Sequence, residues 1–224
     1  MNDETGPLIM DAVEARVLGS LVEKELTTPD YYPLSLNALV NACNQTSNRD
    51  PVTAYDEPAV KRALETLRRK RLVFVFEGAA SRVTKYGHKF AEALGLSQPE
   101  VAVLCVLLLR GSQTVGEIRG RTGRLYEFAD LGAVEATLQA LAARTPQPLV
   151  ARLARQPGYK ESRYAQLLSE TPAPAAPDLS VLPAEAPGPT VEERLIRLEE
   201  EVAALRRELA EARAQLAGLT RPHE

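Results

Sequence analysis

The chain has 224 residues, of which 45% are hydrophobic, and 27 basic against 30 acidic side chains give it a net charge of −3. This size and composition predict a globular protein with one large or two small domains, and the charge argues against purely electrostatic binding to nucleic acid. The two cysteines lack the paired spacing of a zinc site, so we expect both to be reduced core residues.

Charge is unevenly distributed along the chain. Residues 11–95 carry 12 basic and 11 acidic side chains, residues 96–170 carry 9 and 7, and residues 171–224 carry 6 and 10. The N-terminal MNDETGPLIM lacks the pattern of an export signal, and the longest apolar run is about half of the ~20 residues that a spanning helix needs. We therefore expect a cytoplasmic protein without a membrane partner.

The first part of the chain predicts three helices. Apolar residues recur at helical spacing over residues 11–26, and a Thr-Thr-Pro stretch ends that run. Ser35 is a suitable N-cap for a second helix, and Asp56 with Glu57 before Pro58 marks the start of a third. The buried stripe of the third helix is predicted to contain Val60, Ala63, Leu64 and Leu67.

A β-hairpin is predicted after the third helix. Residues 72–76 and 82–86 are rich in β-branched and aromatic side chains, and residues 78–81 form a turn between them. Three helices followed by a hairpin is the order of a winged-helix domain, in which the third helix can enter a DNA groove. We assign residues 11–95 to a first winged-helix domain.

The same order recurs further along the chain. Helices are predicted over residues 99–109, 115–121 and 131–143, and two apolar-rich arms flank a Gln-Pro-Gly turn at 156–158. This duplication of about 75 residues assigns residues 96–170 to a second winged-helix domain. The predicted fold class is α+β, mostly helical, with two tandem winged-helix domains.

The C-terminal quarter predicts a spacer and a coiled coil. Residues 171–190 are rich in proline and form a linker, whereas residues 191–219 carry apolar side chains at alternating spacings of four and three. Charges at the flanking positions favour a parallel homodimer; an antiparallel pair and a single helix lying on its own protein are the alternatives. The residues predicted to mediate dimerisation are Leu195, Leu198, Val202, Leu205, Leu209 and Leu216.

We identify no catalytic motif in the sequence. His88 and His223 are the two histidines, and neither has a neighbour with the spacing of a metal or proton-transfer site. The glycines at 116, 120 and 123 lack the Lys-Ser/Thr ending of a phosphate-binding loop. We expect no enzymatic activity, metal or cofactor.

The third helix carries the best candidate for DNA binding. Four cations repeat at seven-residue spacing on the face opposite the buried stripe, although Glu65 lies among them and exposed charges are common on any helix. Arg82 and Lys85 of the hairpin could contact the DNA backbone. The helix cations are Lys61, Arg62, Arg68 and Arg69.

The polar stretch NACNQTSNRDP follows the second helix. Its short polar side chains and Pro51 fit a capped loop, which is a structural interpretation. Its position beside the third helix also allows contacts with nucleic acid or a protein, as the less favoured alternative. The residues proposed for such contacts are Asn44, Gln45, Asn48 and Arg49.

Several long segments resemble the YceH family of bacterial proteins. They include EARVLGSLVEKELTTPDYYPLSLNALVNACNQTSNRDPV, SRVTKYGHKF, EVAVLCVLLLRGSQTVGEIRGRT and GYKESRYAQLL, and the similarity covers about residues 11–168. The resemblance implies two tandem winged-helix domains and a cytosolic setting, and it provides no catalytic residues. Two hypotheses follow: a dimeric protein that binds double-stranded DNA and regulates transcription, or an adaptor that uses the same domains to bind another protein.

Overall fold

The computed structural model describes residues 7–77, 83–154 and 161–169. All of them belong to one compact unit, residues 1–176. The fold is α+β, mostly helical, with small antiparallel sheets. Arg82, the predicted linker at 171–190 and the predicted coiled-coil helix at 191–219 lie outside the described residues.

The first half, up to residue 95, contains the three predicted helices and the predicted hairpin. Its elements are α1 (Ala12–Thr27), a 3-10 turn (Pro29–Tyr31), β1 (Leu34–Ser35), α2 (Leu36–Cys43), α3 (Glu57–Arg69), β2 (Val73–Phe76), β3 (Lys85–His88) and α4 (Phe90–Leu94). The two-residue strand β1 and the five-residue helix α4 are additions to the prediction, because both are too short to carry a periodic pattern.

Polar caps explain where the first helices begin. Asp11 and Glu14 form a capping box, in which each side chain accepts a hydrogen bond from the backbone amide of the other, at 2.7 and 2.8 Å. The side chains of Ser35 and Asp56 each accept a hydrogen bond from the amide three residues later, at 3.3 and 2.8 Å. The predicted caps of α2 and α3 are therefore confirmed.

The second strand of the hairpin lies further along the chain than predicted. It covers Lys85–His88 rather than residues 82–86, with Phe76 opposite Lys85 and Val73 opposite His88. Gly87 interrupts the β-branched pattern and so hides this strand in the sequence. A Cβ at Gly87 would lie 2.4 Å from the ring of Phe74 on β2, so the glycine makes room for that ring.

The second half repeats the order of the first. Its elements are α5 (Gln98–Arg110), α6 (Val115–Thr122), α7 (Leu131–Ala142), β4 (Val150–Arg152) and β5 (Tyr164–Gln166). The strand pairings correspond as well: β1 pairs with β3 just before α2, and Gln113 forms an antiparallel bridge with Tyr164 of β5 just before α6. The predicted arms of the second hairpin pair as β4 and β5, and residues 155–160 between them are not described.

Helix α1 lies at the centre of the unit. Its ten residues from Glu14 to Glu23 are all buried, because α2, α3, α5 and β3 pack around it. The approach to α5 is close at Gly19, where a Cβ would lie 3.0 Å from the side chain of Leu109. One hydrophobic cluster therefore runs through both halves.

Both cysteines are buried core residues, as predicted. Cys105 of α5 lies with its Sγ 3.6 Å from the carbonyl oxygen of Gly19. Burial raises the pKa of Cys43 to about 11 and raises the pKa of Cys105 as well. Both thiols are therefore protonated at neutral pH and are poor nucleophiles.

Arg49, in the loop between α2 and α3, is paired inside the protein. It is 4% exposed, and its guanidinium donates to both carboxylate oxygens of Glu23 on α1, at 2.6 and 3.1 Å. Its Nε donates to the carbonyl oxygen of Ala42, at 3.0 Å, near the end of α2. The side chain thus satisfies one buried acid and one carbonyl at a helix end.

A second buried arginine holds the same loop from α1. Arg16 donates to the carbonyl oxygens of Cys43 and Pro51, at 3.1 and 2.7 Å. Burial, and secondarily the charge of Arg49, lowers the pKa of Arg16. Together the two arginines connect α1 to the loop that leads into α3.

None of the described helices is both long and apolar enough to cross a membrane.

We predict that breaking the Arg49–Glu23 pair strongly destabilises the protein. Arg49→Met leaves the Glu23 carboxylate without its bidentate partner, and the expected loss in the free energy of unfolding is about 3–5 kcal/mol. Urea denaturation measures it. The exposed ion pair between Glu57 and Lys61, with its charged atoms 2.7 Å apart, provides the control, and Glu57→Gln should cost much less than Arg49→Met because solvent screens the pair. Equal losses for the two variants would contradict this account.

We also predict that Gly87→Ala destabilises the first sheet. The added methyl group would overlap the ring of Phe74, and the expected cost is about 1–3 kcal/mol in the free energy of unfolding. Gly116→Ala on α6 is the control, because a Cβ at that position meets no atom within 4 Å. If thermal unfolding shows Gly87→Ala to be as stable as the control, the close packing of β3 on β2 is wrong.

Candidate nucleic-acid interface

The outer face of α3 is the candidate interface, and its inner face fixes its orientation. Val60, Ala63, Leu64 and Leu67 are buried, as predicted, so the cations between them are turned outward. The helix ends at Arg69, and Arg71 takes a left-handed backbone conformation at φ 60°, which directs the chain into β2.

All four predicted cations of α3 are exposed. The side chains of Arg62 and Arg68 make no hydrogen bond or ion pair with any residue that the structure describes. Arg69 donates to the hydroxyl of Thr66, at 3.3 Å. Lys61 forms an exposed ion pair with Glu57, and this contact raises the pKa of Lys61. Phosphates of a partner could therefore reach these cations without disrupting the core.

Acidic side chains reduce the charge of this face without cancelling it. Glu57 and Glu65 are exposed on the same helix, so the four cations leave a formal charge of +2. Glu65 is placed four residues after Lys61 and three before Arg68, so it shares their stripe. Glu65 would therefore face a phosphate bound between Lys61 and Arg68.

The hairpin contributes Lys85, which begins β3 and is half-buried. It lies opposite Phe76 of β2 and Ser35 of β1 in the sheet. Lys85 is thus fixed on the strand that follows the turn, whereas the position of Arg82 is not described.

The polar loop after α2 has two different roles. Asn44 is half-buried, and its amide both donates to the carbonyl of Tyr55 and accepts from the amide of Tyr55, at 2.7 and 2.8 Å. Arg49 is buried against Glu23. The structural interpretation of the loop therefore explains Asn44 and Arg49, and the suggestion that they are available to nucleic acid is corrected: their hydrogen-bonding groups are used inside the protein.

Gln45 and Asn48 face α1 and α5 instead of extending the cationic face of α3. The side-chain amide oxygen of Gln45 accepts from Lys24 at 3.3 Å, and that of Asn48 accepts from Arg110 at 2.9 Å. Both residues line a cleft whose lining contains no residue of α3. The sequence places them near α3 along the chain, but the fold separates them from its outer face.

Helix α7, which corresponds to α3 in the second half, lacks a cationic face. Its exposed positions include Glu135, Gln139 and Ala142. Arg119 on α6 donates to the carbonyl of Ala129, at 3.0 Å. The two halves thus share an architecture and differ in surface charge.

The buried charges of α1 were missed by sequence reasoning. Arg16 and Glu23 are seven residues apart on one stripe, and Gly19 and Ser20 lie between them. Small residues on a helix stripe indicate that another element packs closely against that side. A charged side chain on the same stripe is then buried and requires a partner. Within the described ranges, no cluster of three or more His, Cys, Asp or Glu side chains could hold a metal ion.

Comparison with known proteins places the chain in a family. The family described as "Protein of unknown function, DUF480" matches residues 10–159. A UPF0502 protein of Opitutus terrae is 58% identical over 205 residues, which cover 91% of this chain and 86% of the relative. A UPF0502 protein of Citrifermentans bemidjiense is 57% identical over 196 residues, covering 86% and 88% of the two chains.

A third relative, a UPF0502 protein of Pelobacter propionicus, is 53% identical over 208 residues, covering 91% of this chain and 93% of the relative. The similarity therefore includes nearly the whole of these proteins, and the match to the family spans both halves of the fold described above. The predicted YceH-like membership is confirmed, and the chain belongs to the DUF480 family of UPF0502 proteins.

Proposed function

We propose that the protein is a dimeric, winged-helix DNA-binding protein of the transcription-regulator type. The observation that carries the proposal is the exposed cationic face of α3, in which Arg62 and Arg68 lack partners among the described residues while the opposite face is buried. An arginine that is free to reorient can donate two hydrogen bonds to guanine or to a phosphate.

The order of elements supports assigning each half to the winged-helix class. In the first half, α1, β1, α2 and α3 precede a hairpin whose second strand also pairs with β1. In that class, the third helix is the one that enters the major groove. Under this assignment the cations of α3 belong to the helix that contacts DNA, which supports the proposal.

The contrast between the halves supports unequal roles. Because α7 lacks a cationic face, we propose that the first half contacts DNA and that the second half orients it. The adaptor hypothesis is the second candidate, and exposed Leu131 and Ala142 on α7 favour it for the second half. In that case, the partner would be another protein.

We also propose that the protein is not an enzyme. His88 is the histidine that lies within the described residues. It is buried, and burial lowers its pKa to about 4, so it is neutral at pH 7. Its Nε2 lies 2.8 Å from a carboxylate oxygen of Glu25, which opposes this shift but is 44% exposed and therefore solvated. A buried, neutral imidazole in this position is more suited to packing than to proton transfer.

We predict that removing the four α3 cations weakens DNA binding and lowers its salt dependence. The variant Lys61→Ala, Arg62→Ala, Arg68→Ala, Arg69→Ala should bind a mixed-sequence duplex more weakly. Each phosphate contact that is lost should reduce the slope of log K against log salt by about 0.9. Fluorescence anisotropy at a series of salt concentrations measures both quantities.

Glu65→Gln provides the matched control on the same face. It removes an acid rather than a base and should strengthen binding at low salt. If the unmodified protein does not bind duplex DNA at low salt, or if the four-residue variant has an unchanged slope, the DNA-binding proposal fails and the adaptor candidate remains.

We predict that the full chain is a parallel dimer held by residues 191–219. Light scattering should give twice the chain mass, and Leu198→Lys with Leu205→Lys should give the monomer mass, because lysine at these positions interrupts the apolar seam. Under oxidising conditions, Leu219→Cys should form a disulfide between chains only in the parallel arrangement. A monomer mass for the unmodified chain would refute the proposed dimer.

A further inference from the structure

A cleft of about 410 Å³ lies at the junction of the two halves, away from α3. It is bordered by the C-terminal end of α1, the loop after α2, α5, and the end of α6. Its volume is within the range of about 300–1,000 Å³ that is typical of small-molecule sites. The lining combines apolar side chains with hydroxyl and amide groups, among them Val106, Leu109, Leu125, Thr28, Ser47 and Gln45.

Among the described residues, four cations and one acidic side chain line this cleft, and the acidic side chain is already paired. That acid is Glu23, which forms the buried pair with Arg49 at 2.6 Å. The cations come from α1, α5, α6 and the residues after α6, so the fold brings them together from both halves. They are Lys24, Arg110, Arg121 and Arg124.

The partial negative charges of the helix C-termini at the cleft offset only part of the positive charge of these four cations. Lys24, Arg110 and Arg121 each lie in the last turn of a helix, where a basic side chain complements the partial negative charge of the terminus. Each terminus carries about −0.5 of an elementary charge, so three termini offset about −1.5 of the four positive charges. Asp50 and Glu117, which lie near Arg110, reduce the positive charge further, and a phosphate monoester of about −1.5 to −2 would complement what is left.

The cations also retain unused hydrogen-bonding capacity. Arg124 is exposed and has no hydrogen bond or ion pair with the described residues, and Arg121 reaches Glu117 only at 3.9 Å. The Nε of Arg110 is buried and has no hydrogen-bond partner among those residues. Burial, followed by the nearby charge of Arg121, lowers the pKa of Arg110, although the carboxylates of Asp50 and Glu117 oppose this shift.

We propose that this cleft binds a small phosphorylated molecule with an apolar or ring-containing body. The phosphate is bound by Arg110, Arg121 and Arg124, which supply charge-assisted hydrogen bonds. The rest of the molecule packs against the apolar lining. Because the lining contains no residue of α3, this proposal does not depend on DNA binding.

Calorimetric titration of the full-length protein tests the site without DNA. The probe is adenosine 5′-monophosphate. Adenosine and inorganic phosphate are titrated separately to measure the affinity of its ring-containing body and of its phosphate group. The monophosphate should bind at least about tenfold more tightly than either part, because charge-assisted contacts and apolar packing then act together.

Arg124→Gln and the double variant Arg121→Gln, Arg124→Gln should each weaken binding of the monophosphate, the double variant by at least about tenfold. Arg152→Gln is the matched control: it removes an exposed arginine of β4 that does not line the cleft, so binding should be unchanged. Arg124→Gln and Arg152→Gln replace exposed side chains, so both variants should retain the unfolding temperature of the parent. No binding of adenosine 5′-monophosphate, or equal binding by the double variant and the parent, would overturn the proposal.

Discussion

Burial of α1 is the constraint on which the rest of the structure depends. A helix that is covered on all sides must pair every charge it carries, because an isolated ionised group in the interior is costly. Glu23 meets Arg49, Glu14 meets Lys70, and Arg16 caps carbonyl oxygens of the following loop. These contacts tie the loop after α2 and the end of α3 to the core, and they fix which face of α3 remains in solvent.

The division of basic residues into two groups follows from this constraint. Arg16 and Arg49 serve the interior, whereas Arg62 and Arg68 have no interior partner among the described residues and point away from the buried stripe of α3. The cationic face is therefore not needed to hold the helix in place. A ligand that binds the outer face of α3 would therefore displace no contact that these arginines make in the core.

Sequence reasoning predicted the parts of the fold that depend on local patterns. The caps at Ser35 and Asp56 and the buried stripe of α3 follow from spacing within a few residues. It failed where the decisive neighbour is distant: the polar loop that contains Arg49 gives no local sign of Glu23, its partner on another helix. Gly87 similarly interrupts the residue pattern of β3, and the reason for a glycine there is the ring of Phe74 on the neighbouring strand. The direction of Gln45 and Asn48 also depends on α1 and α5, and no local pattern encodes it.

Nuclear magnetic resonance of the arginine side-chain Nε–H groups, recorded while a short DNA duplex is added, tests this division most directly. We predict that the signals of Arg62 and Arg68 shift or broaden while those of Arg16 and Arg49 stay unchanged. Changes at Arg16 or Arg49 with none at Arg62 and Arg68 would contradict it, and so would a spectrum without any change.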